Sequence, residues 1–108
     1  PVSTEFLPRP QGLGYVQATT MRETLFHPQG SVWRGHEFHY SRCFWSGKPP
    51  EFALSLSPGV GMGREGGVGR DGLVSGPRGN VFASYTHLFA PAVPHWASRF
   101  VAAAGAGI

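Results

Sequence analysis

Short runs of hydrophobic residues, separated by glycine and proline, recur along most of the chain and predict short strands joined by turns. Strands are predicted over four segments: GLGYVQA (12–18), HEFHYSRCFW (36–45), FALSLS (52–57) and NVFASYTHL (80–88). In the third segment Phe52, Leu54 and Leu56 alternate with smaller residues, so one face of that strand is expected to be buried. The sequence HPQG at 27–30 separates two short apolar pieces and predicts a hairpin turn.

Two segments are predicted to lack regular structure. Residues 1–12 are rich in proline, and residues 59–69 are rich in glycine, so we expect an irregular start and a loop. At residues 93–105 the period changes, because apolar side chains recur every three or four positions, as they do in a helix lying on a sheet. Those side chains are Val93, Trp96, Ala97, Phe100, Val101 and Ala104. Pro94 suits the first helical turn and Gly105 suits the end.

The length and composition indicate part of a folded α/β protein. The 108 residues make at most one domain, and because the chain begins with Pro1 we interpret residues 1–108 as a fragment of a larger one. Glycine and proline are frequent, with 16 and 10 residues, but 41% of the chain is hydrophobic and 13% aromatic, which argues against disorder. The overall prediction is a set of short strands, in a mixed or antiparallel sheet, followed by one C-terminal α-helix.

Charge and cysteine content exclude several classes of function. The net charge is +3, but the nine basic residues are spread without a block, so the sequence argues against a nucleic-acid partner. A single cysteine excludes a disulfide framework and fits a reducing compartment. No apolar run approaches the roughly 20 residues of a membrane helix, and no signal peptide is recognisable. A cytoplasmic location without membrane contact is therefore predicted.

The segment RGHEFHYS at 34–41 is the richest in side chains that can perform chemistry. In an extended strand His36 and His39 point to opposite faces, whereas Glu37 and His39 share one face. A zinc site needs imidazoles that converge, so this spacing argues against a metal. Spacing alone favours polar residues on a half-exposed strand.

Three other candidates can be weighed from the residues. The pattern GxGxxG at 61–66 lacks the helix that a dinucleotide site requires, so we interpret it as a loop. Cys43 lies between bulky neighbours and is interpreted as a structural residue, not a nucleophile. His87, near the end of a predicted strand, is either a structural histidine or a group for proton transfer.

RGHEFHYSR at 34–42 and GNVFASYTHLFA at 79–90 together resemble the C-terminal region of the cobyrinic acid a,c-diamide synthase family. LGY at 13–15 and DGLV at 71–74 fall at positions where that family has similar sequence, so the resemblance runs from Gly12 to about Ala104. It implies an ATP-dependent ligase that uses glutamine to amidate two carboxylates of a corrin ring in cobalamin biosynthesis. The present chain resembles the second half of its class I glutamine amidotransferase domain.

The resemblance also implies roles for particular residues. His87 matches the family's catalytic histidine, and we expect it to exchange protons with a cysteine that forms a thioester with glutamine. His36, Glu37, His39 and Tyr85 are predicted to form a wall of the glutamine site. Phe89 stands where many class I amidotransferases carry a glutamate, and the chain reads H-L-F after His87 where the family reads H-L-H-F.

The sequence contains neither a cysteine between glycines nor the GxxxxGK[ST] pattern of an ATP site. ATP and magnesium are therefore expected in a missing N-terminal part of the same protein, together with the nucleophile, and the chain alone is expected to be inactive and to bind no cofactor. Glutamine and cobyrinic acid would be the substrates of the whole enzyme. Two alternatives stay open, a cobyric acid synthase-type amidotransferase and a non-catalytic binding module. Exposed sheet surface also predicts self-association.

Overall fold

The computed structural model describes residues 2–105, which form short strands and a helix at the C-terminal end. The strands among these residues are β1 (Val2–Phe6), β2 (Gly12–Thr20), β3 (Val32–His39), β4 (Ser41–Trp45), β5 (Leu54–Leu56), β6 (Gly63–Glu65), β7 (Val68–Asp71), β8 (Leu73–Ser75), β9 (Val81–Ala83) and β10 (His87–Leu88). The helix α1 spans Trp96–Gly105 and follows a 3₁₀ turn at Ala90–Ala92. The predicted fold class is confirmed. None of the described helices is long and apolar enough to cross a membrane.

The central sheet has six strands in the order β10-β3-β2-β5-β7-β6, and its strand pairs are antiparallel. The longest pair joins β2 to β3, with Gly12 opposite His39 and Thr19 opposite Val32. Two further pairs, β1 with β4 and β8 with β9, form separate small sheets. The central sheet therefore brings β10, near the end of the chain, beside β3 in its first half.

Only one face of the central sheet is covered in this part of the protein. On β3 burial alternates residue by residue, as the period of two requires. The core consists of Val16, Ala18, Trp33, Leu54, Leu56 and Val93, with Phe82, Leu88 and Trp96 packed against it. Complete burial of Leu54 and Leu56 stabilises the fold by roughly 2–3 kcal/mol each. This confirms the buried face that was expected for residues 52–57.

The opposite face of β2 and β3 is open and largely apolar. Four of its side chains, which we call the open sheet face, are more than half exposed: Leu13 (68%), Tyr15 (84%), Val32 (58%) and Phe38 (56%). Exposed apolar patches of this kind mark surfaces that contact other protein.

Two predictions about the first third of the chain are wrong. Residues 2–6 are not irregular, because β1 pairs along its whole length with β4; Pro1 lies outside the described residues. The turn at 27–30 does not join a hairpin of its own, since β2 and β3 are the paired strands and residues 24–26 belong to the loop between them. His27 anchors that segment to the core, because its ring is buried and stacks on Trp33.

Two predicted strands are each divided in the structure. The segment 36–45 breaks at Tyr40, where β4 leaves the central sheet to pair with β1. The segment 80–88 contains β9 and β10, which belong to different sheets. The glycine-rich segment 59–69 is also more regular than predicted, because β6 and β7 form a hairpin whose turn is Gly66-Gly67, both with positive φ.

The C-terminal helix begins and ends close to the predicted positions, but its apolar face is different. Phe100 and Val101 are 52% and 67% exposed, whereas Ala103 is buried. The helix packs beside the loop after β2 instead of lying flat on the sheet, as the hydrogen bonds from Arg99 to Glu23 and Thr24 show. The start of the predicted stripe, Val93 and Trp96, packs on the core, whereas the rest of the stripe is exposed.

Candidate functional site

His87 and His36 lie opposite each other on β10 and β3 and form the most distinctive pair of side chains in the structure. Nδ1 of His87 is 3.1 Å from Nε2 of His36, and the ring centroids are 4.7 Å apart at an interplanar angle of 75°. Both residues are exposed, on the same side of the sheet as the open sheet face. Two of the five predicted site residues are thus brought together across 51 positions of sequence.

The close approach of β10 to β3 depends on a glycine. Gly35 lies opposite Leu88, and a Cβ at Gly35 would overlap the backbone oxygen of His87 and lie 2.9 Å from Cγ2 of Thr86. Any larger residue would push β10 away from β3 and separate the two imidazoles. The glycine in RGHEFHYS therefore has a definite structural purpose.

Asp71 holds the segment that precedes His87. Its carboxylate is fully buried and accepts hydrogen bonds from the backbone N–H of Tyr85 (3.2 Å) and from the N–H and hydroxyl of Thr86 (2.9 and 2.7 Å). Burial raises the pKa of Asp71, although these hydrogen bonds oppose the shift. The sequence singles out Asp71 only as part of DGLV, because the residues before it, Gly69 and Arg70, form no apolar run that would mark a buried carboxylate.

Glu37 and His39 lie on the other, covered face of β3. The Glu37 carboxylate accepts hydrogen bonds from the backbone N–H of Val60 and Gly61, both at 2.8 Å, and is 2.8 Å from Nε2 of His39. Nδ1 of His39 is 2.9 Å from the carbonyl oxygen of Ser41. Both ring nitrogens of His39 therefore face oxygen acceptors. A neutral imidazole has a single N–H, so it can donate to the carbonyl or to the carboxylate but not to both.

Tyr85 belongs with these two residues and not with His87. Its ring stacks on His39 with centroids 3.7 Å apart, and its hydroxyl shares a 2.7 Å hydrogen bond with that of Ser41. Burial raises the pKa of the Tyr85 phenol despite that hydrogen bond. The structure therefore separates Glu37, His39 and Tyr85 from the histidine pair by the thickness of the sheet.

Other candidates from the sequence are placed as follows. The thiol of Cys43 lies 3.8 Å from the Tyr85 hydroxyl, on a strand of the separate sheet that β4 forms with β1. The GxGxxG segment contains β6 and is followed directly by β7 instead of a helix. Within residues 2–105, no group of three or more His, Cys, Asp or Glu side chains could hold a metal ion.

Comparison with known proteins identifies a family. The CobB/CobQ-like glutamine amidotransferase domain matches residues 1–93. The chain is 36% identical over 100 residues to the cobyrinate a,c-diamide synthase of Methanothermobacter thermautotrophicus, covering 93% of this chain and 21% of that protein. It is 34% identical over 98 residues to the enzyme of the same name from Methanosphaera stadtmanae, covering 89% and 20%.

A third relative is the hydrogenobyrinate a,c-diamide synthase of Agrobacterium fabrum, 41% identical over 75 residues, covering 68% of this chain and 17% of that protein. These matches confirm the resemblance that the motifs indicated. The chain spans about a fifth of the length of the curated relatives it matches. No solved structure matches it significantly.

Proposed function

This chain belongs to the CobB/CobQ-like glutamine amidotransferase domain family, and from that membership we propose that it is part of an enzyme that uses glutamine to amidate the a and c carboxylates of cobyrinic acid. Its contribution is to glutamine hydrolysis, with His87 as the acid–base group. One observation carries this proposal: His87 is exposed at the end of the sheet, with Nδ1 in a hydrogen bond and Nε2 without a hydrogen-bond partner among the described residues.

The chemistry needs a thiol opposite that free nitrogen. A cysteine thiol has a pKa of about 8.5 and is only slightly ionised at neutral pH, so a base must take its proton. Nε2 of His87 accepts the proton, and the sulfur attacks the side-chain carbonyl carbon of glutamine. The imidazolium then gives the proton to the departing ammonia, which leaves a thioester. In the second half His87 takes a proton from water, the resulting hydroxide adds to the thioester carbon, and the sulfur leaves with that proton.

The thiol comes from another part of the enzyme. Cys43 is the single cysteine of this sequence, and its sulfur lies beside Tyr85 in the sheet of β1 and β4. The relatives are more than four times as long as this chain, which leaves ample sequence for a nucleophile. The open sheet face, which surrounds the histidine pair with apolar side chains, is the surface on which that segment packs.

ATP and Mg²⁺ act in the same longer enzyme, where ATP would activate the carboxylate. The residues described here do not fit a nucleotide. The glycine-rich segment has no following helix, and the N–H groups of Val60 and Gly61 already bind the Glu37 carboxylate. We therefore assign both cofactors to other parts of the protein.

Glu37, His39 and Tyr85 support the site from behind instead of touching glutamine. Glu37 ties β3 to the segment before β6, and Tyr85 stacks on His39 just before the Asp71-bound Thr86. This network fixes the position of the segment leading into β10 relative to β3. The proposed glutamine side of the sheet is limited to His36 and His87.

Replacement of His87 tests the proposed function. In the longer enzyme, His87→Ala removes the acid–base group, so we expect the glutamine-driven reaction to fall by about 10³-fold. The reaction driven by free ammonia does not need that proton transfer and is expected to keep its rate. Both rates are measured as amide formed from cobyrinic acid.

Lys48→Ala, in the exposed loop after β4, serves as the control and is expected to change neither rate. A His87→Ala enzyme that retains glutamine-driven activity would contradict the proposal. Thermal unfolding of both variants tests whether the fold is intact. The ammonia-driven rate is a second control, because a folding defect is expected to lower that rate as well.

A further inference from the structure

The hydrogen bond between His36 and His87 raises a question that acid–base chemistry alone does not answer. A neutral imidazole carries one N–H and one bare nitrogen, so a bond between Nδ1 of His87 and Nε2 of His36 can run in either direction. If His36 donated to Nδ1 of His87, the single proton of the His87 ring would be on Nε2. That nitrogen could then not accept a proton from the thiol. If His87 donates from Nδ1, its Nε2 is bare and can act as a base.

We propose that His36 is a positioning residue that holds His87 in its Nδ1–H tautomer and fixes the direction of its ring. His87 donates Nδ1–H to Nε2 of His36, which leaves Nε2 of His87 as the proton acceptor for the thiol. When that nitrogen takes the proton, the Nδ1–H bond to the neutral His36 ring helps to stabilise the imidazolium. This inference rests on the proposed function and gives one of its residues a defined task.

The backbone geometry supports a fixed arrangement of the two rings. His36 lies in the middle of three paired strands, opposite Tyr15 on β2 and opposite His87 on β10. Its backbone is therefore held on both sides, and directly opposite residues in antiparallel strands have Cβ atoms about 5 Å apart. The rings meet edge to face at 75°, with Nδ1 of His87 3.1 Å from Nε2 of His36.

Among the described residues, no other charged or titratable group forms a hydrogen bond to the histidine pair. Glu37 faces the covered side and is bound to His39, and Asp71 is bound to Thr86. Arg34, two positions before His36 on the same face, lies opposite Gln17 on β2, and Tyr15 lies opposite His36; neither side chain has a hydrogen bond to the histidine pair among the described residues. A metal ion between the histidines would need further ligands, and residues 2–105 offer no group of three.

The tautomer can be read directly from the ¹⁵N chemical shifts of the imidazoles, without any activity. The probe is the ¹⁵N-histidine-labelled chain in EDTA at about pH 8.5, well above the ordinary histidine pKa of about 6.5. We expect Nδ1 of His87 to carry the proton. In His36→Phe the acceptor is lost, and His87 is expected to revert to the Nε2–H form that free histidine prefers. In His36→Gln the amide oxygen can accept the bond and keep the Nδ1–H form.

Arg34→Phe is the matched control, because it adds the same ring to the same face but keeps the His36 acceptor, and it is expected to leave the tautomer unchanged. A wild-type chain with His87 in the Nε2–H form would overturn the proposal. So would a His36→Phe chain in which the Nδ1–H form persists. Amide dispersion in the same samples confirms that each variant is folded.

Kinetics of the longer enzyme separate this inference from the proposed function. We expect His36→Phe to lower the glutamine-dependent kcat on the order of 10²-fold with little change in KM, and His36→Gln to restore most of it. The ammonia-driven rate is expected to stay constant. If His87→Ala abolishes glutamine use but His36→Phe does not affect it, the positioning role fails while the proposed function stands. If His87→Ala has no effect, the proposed function itself fails.

Discussion

At the scale of single residues, His27 shows how strongly burial can bias a titratable group. Its ring is 2% exposed, stacks on Trp33 and lies 2.8 Å from Nε2 of His95, which links the loop after β2 to the start of the helix. Burial, together with the smaller effects of the nearby His95 and Arg99, lowers the pKa of His27 to about 4. The pKa of His95 is lowered as well, by burial and by Arg99. Both rings therefore favour the neutral form in the folded chain.

This residue predicts a specific loss of stability in acid. The unfolded chain binds a proton at His27 near pH 6.5, the folded chain only near pH 4, so unfolding takes up a proton between these values. The free energy of unfolding is expected to be highest above pH 6.5 and to fall by at most roughly 3 kcal/mol on the way to pH 4. Urea unfolding at several pH values, followed by tryptophan fluorescence, measures this.

His27→Gln provides the comparison, because glutamine cannot titrate. Its absolute stability is expected to be lower, but the decrease between pH 6.5 and pH 4 becomes shallower. An unchanged slope in this variant would show that other groups cause the acid sensitivity.

At the scale of elements, the functional geometry depends on how the chain passes from β9 to β10. These two short strands lie in different sheets, and the carboxylate of Asp71 at the end of β7 binds the linker between them. Three donors converge on this one side chain. The position of His87 is thus set by a residue in the middle of the chain.

Replacing Asp71 with asparagine is expected to destabilise the fold and loosen β10. The amide can accept through one oxygen only, so at least one buried donor of Tyr85 or Thr86 loses its partner, which costs about 2 kcal/mol. Urea unfolding measures the loss, and hydrogen exchange of the Leu88 amide reports on β10. Glu65→Gln, an exposed carboxylate on β6, is the control and is expected to cost less than about 1 kcal/mol. Equal stability of the two variants would argue against this role for Asp71.

At the scale of the whole molecule, the central feature is a sheet with one covered and one open face. The core side is closed by Phe82, Leu88 and Trp96, whereas the open sheet face leaves large apolar side chains in water. In the longer enzyme, we propose, another segment packs on this face. In its absence, a second copy of the chain offers an equally apolar surface.

We therefore expect the chain on its own to self-associate through the open sheet face. Light scattering is expected to give a mass above the 11.6 kDa of one chain, and Leu13→Lys with Phe38→Lys, a cross-strand pair on that face, is expected to return it to a monomer. Val101→Lys, an equally exposed position on the helix, is the control and leaves the mass unchanged. A wild-type mass of one chain would contradict the expectation, and a monomer produced by Val101→Lys alone would move the contact to the helix.

The sequence by itself determined those features that depend on local geometry. Alternation along a strand places Glu37 and His39 on one face and His36 on the other, because successive side chains of any extended segment point in opposite directions. The sequence around His87 also indicates the family, and the match of residues 1–93 to the amidotransferase domain confirms it. The residues that would contact glutamine stay a prediction.

Only the tertiary structure decided which faces and strands meet. The strand pattern of 80–88 could not reveal a division into β9 and β10, since the linker between them is bound by the carboxylate of Asp71, which precedes that segment in the chain. Nor could spacing reveal that His36 meets His87, because pairing between strands is set by packing of the whole core and by the space that Gly35 leaves. Local periodicity records the direction of each side chain, whereas its partner is chosen by contacts that are distant in sequence.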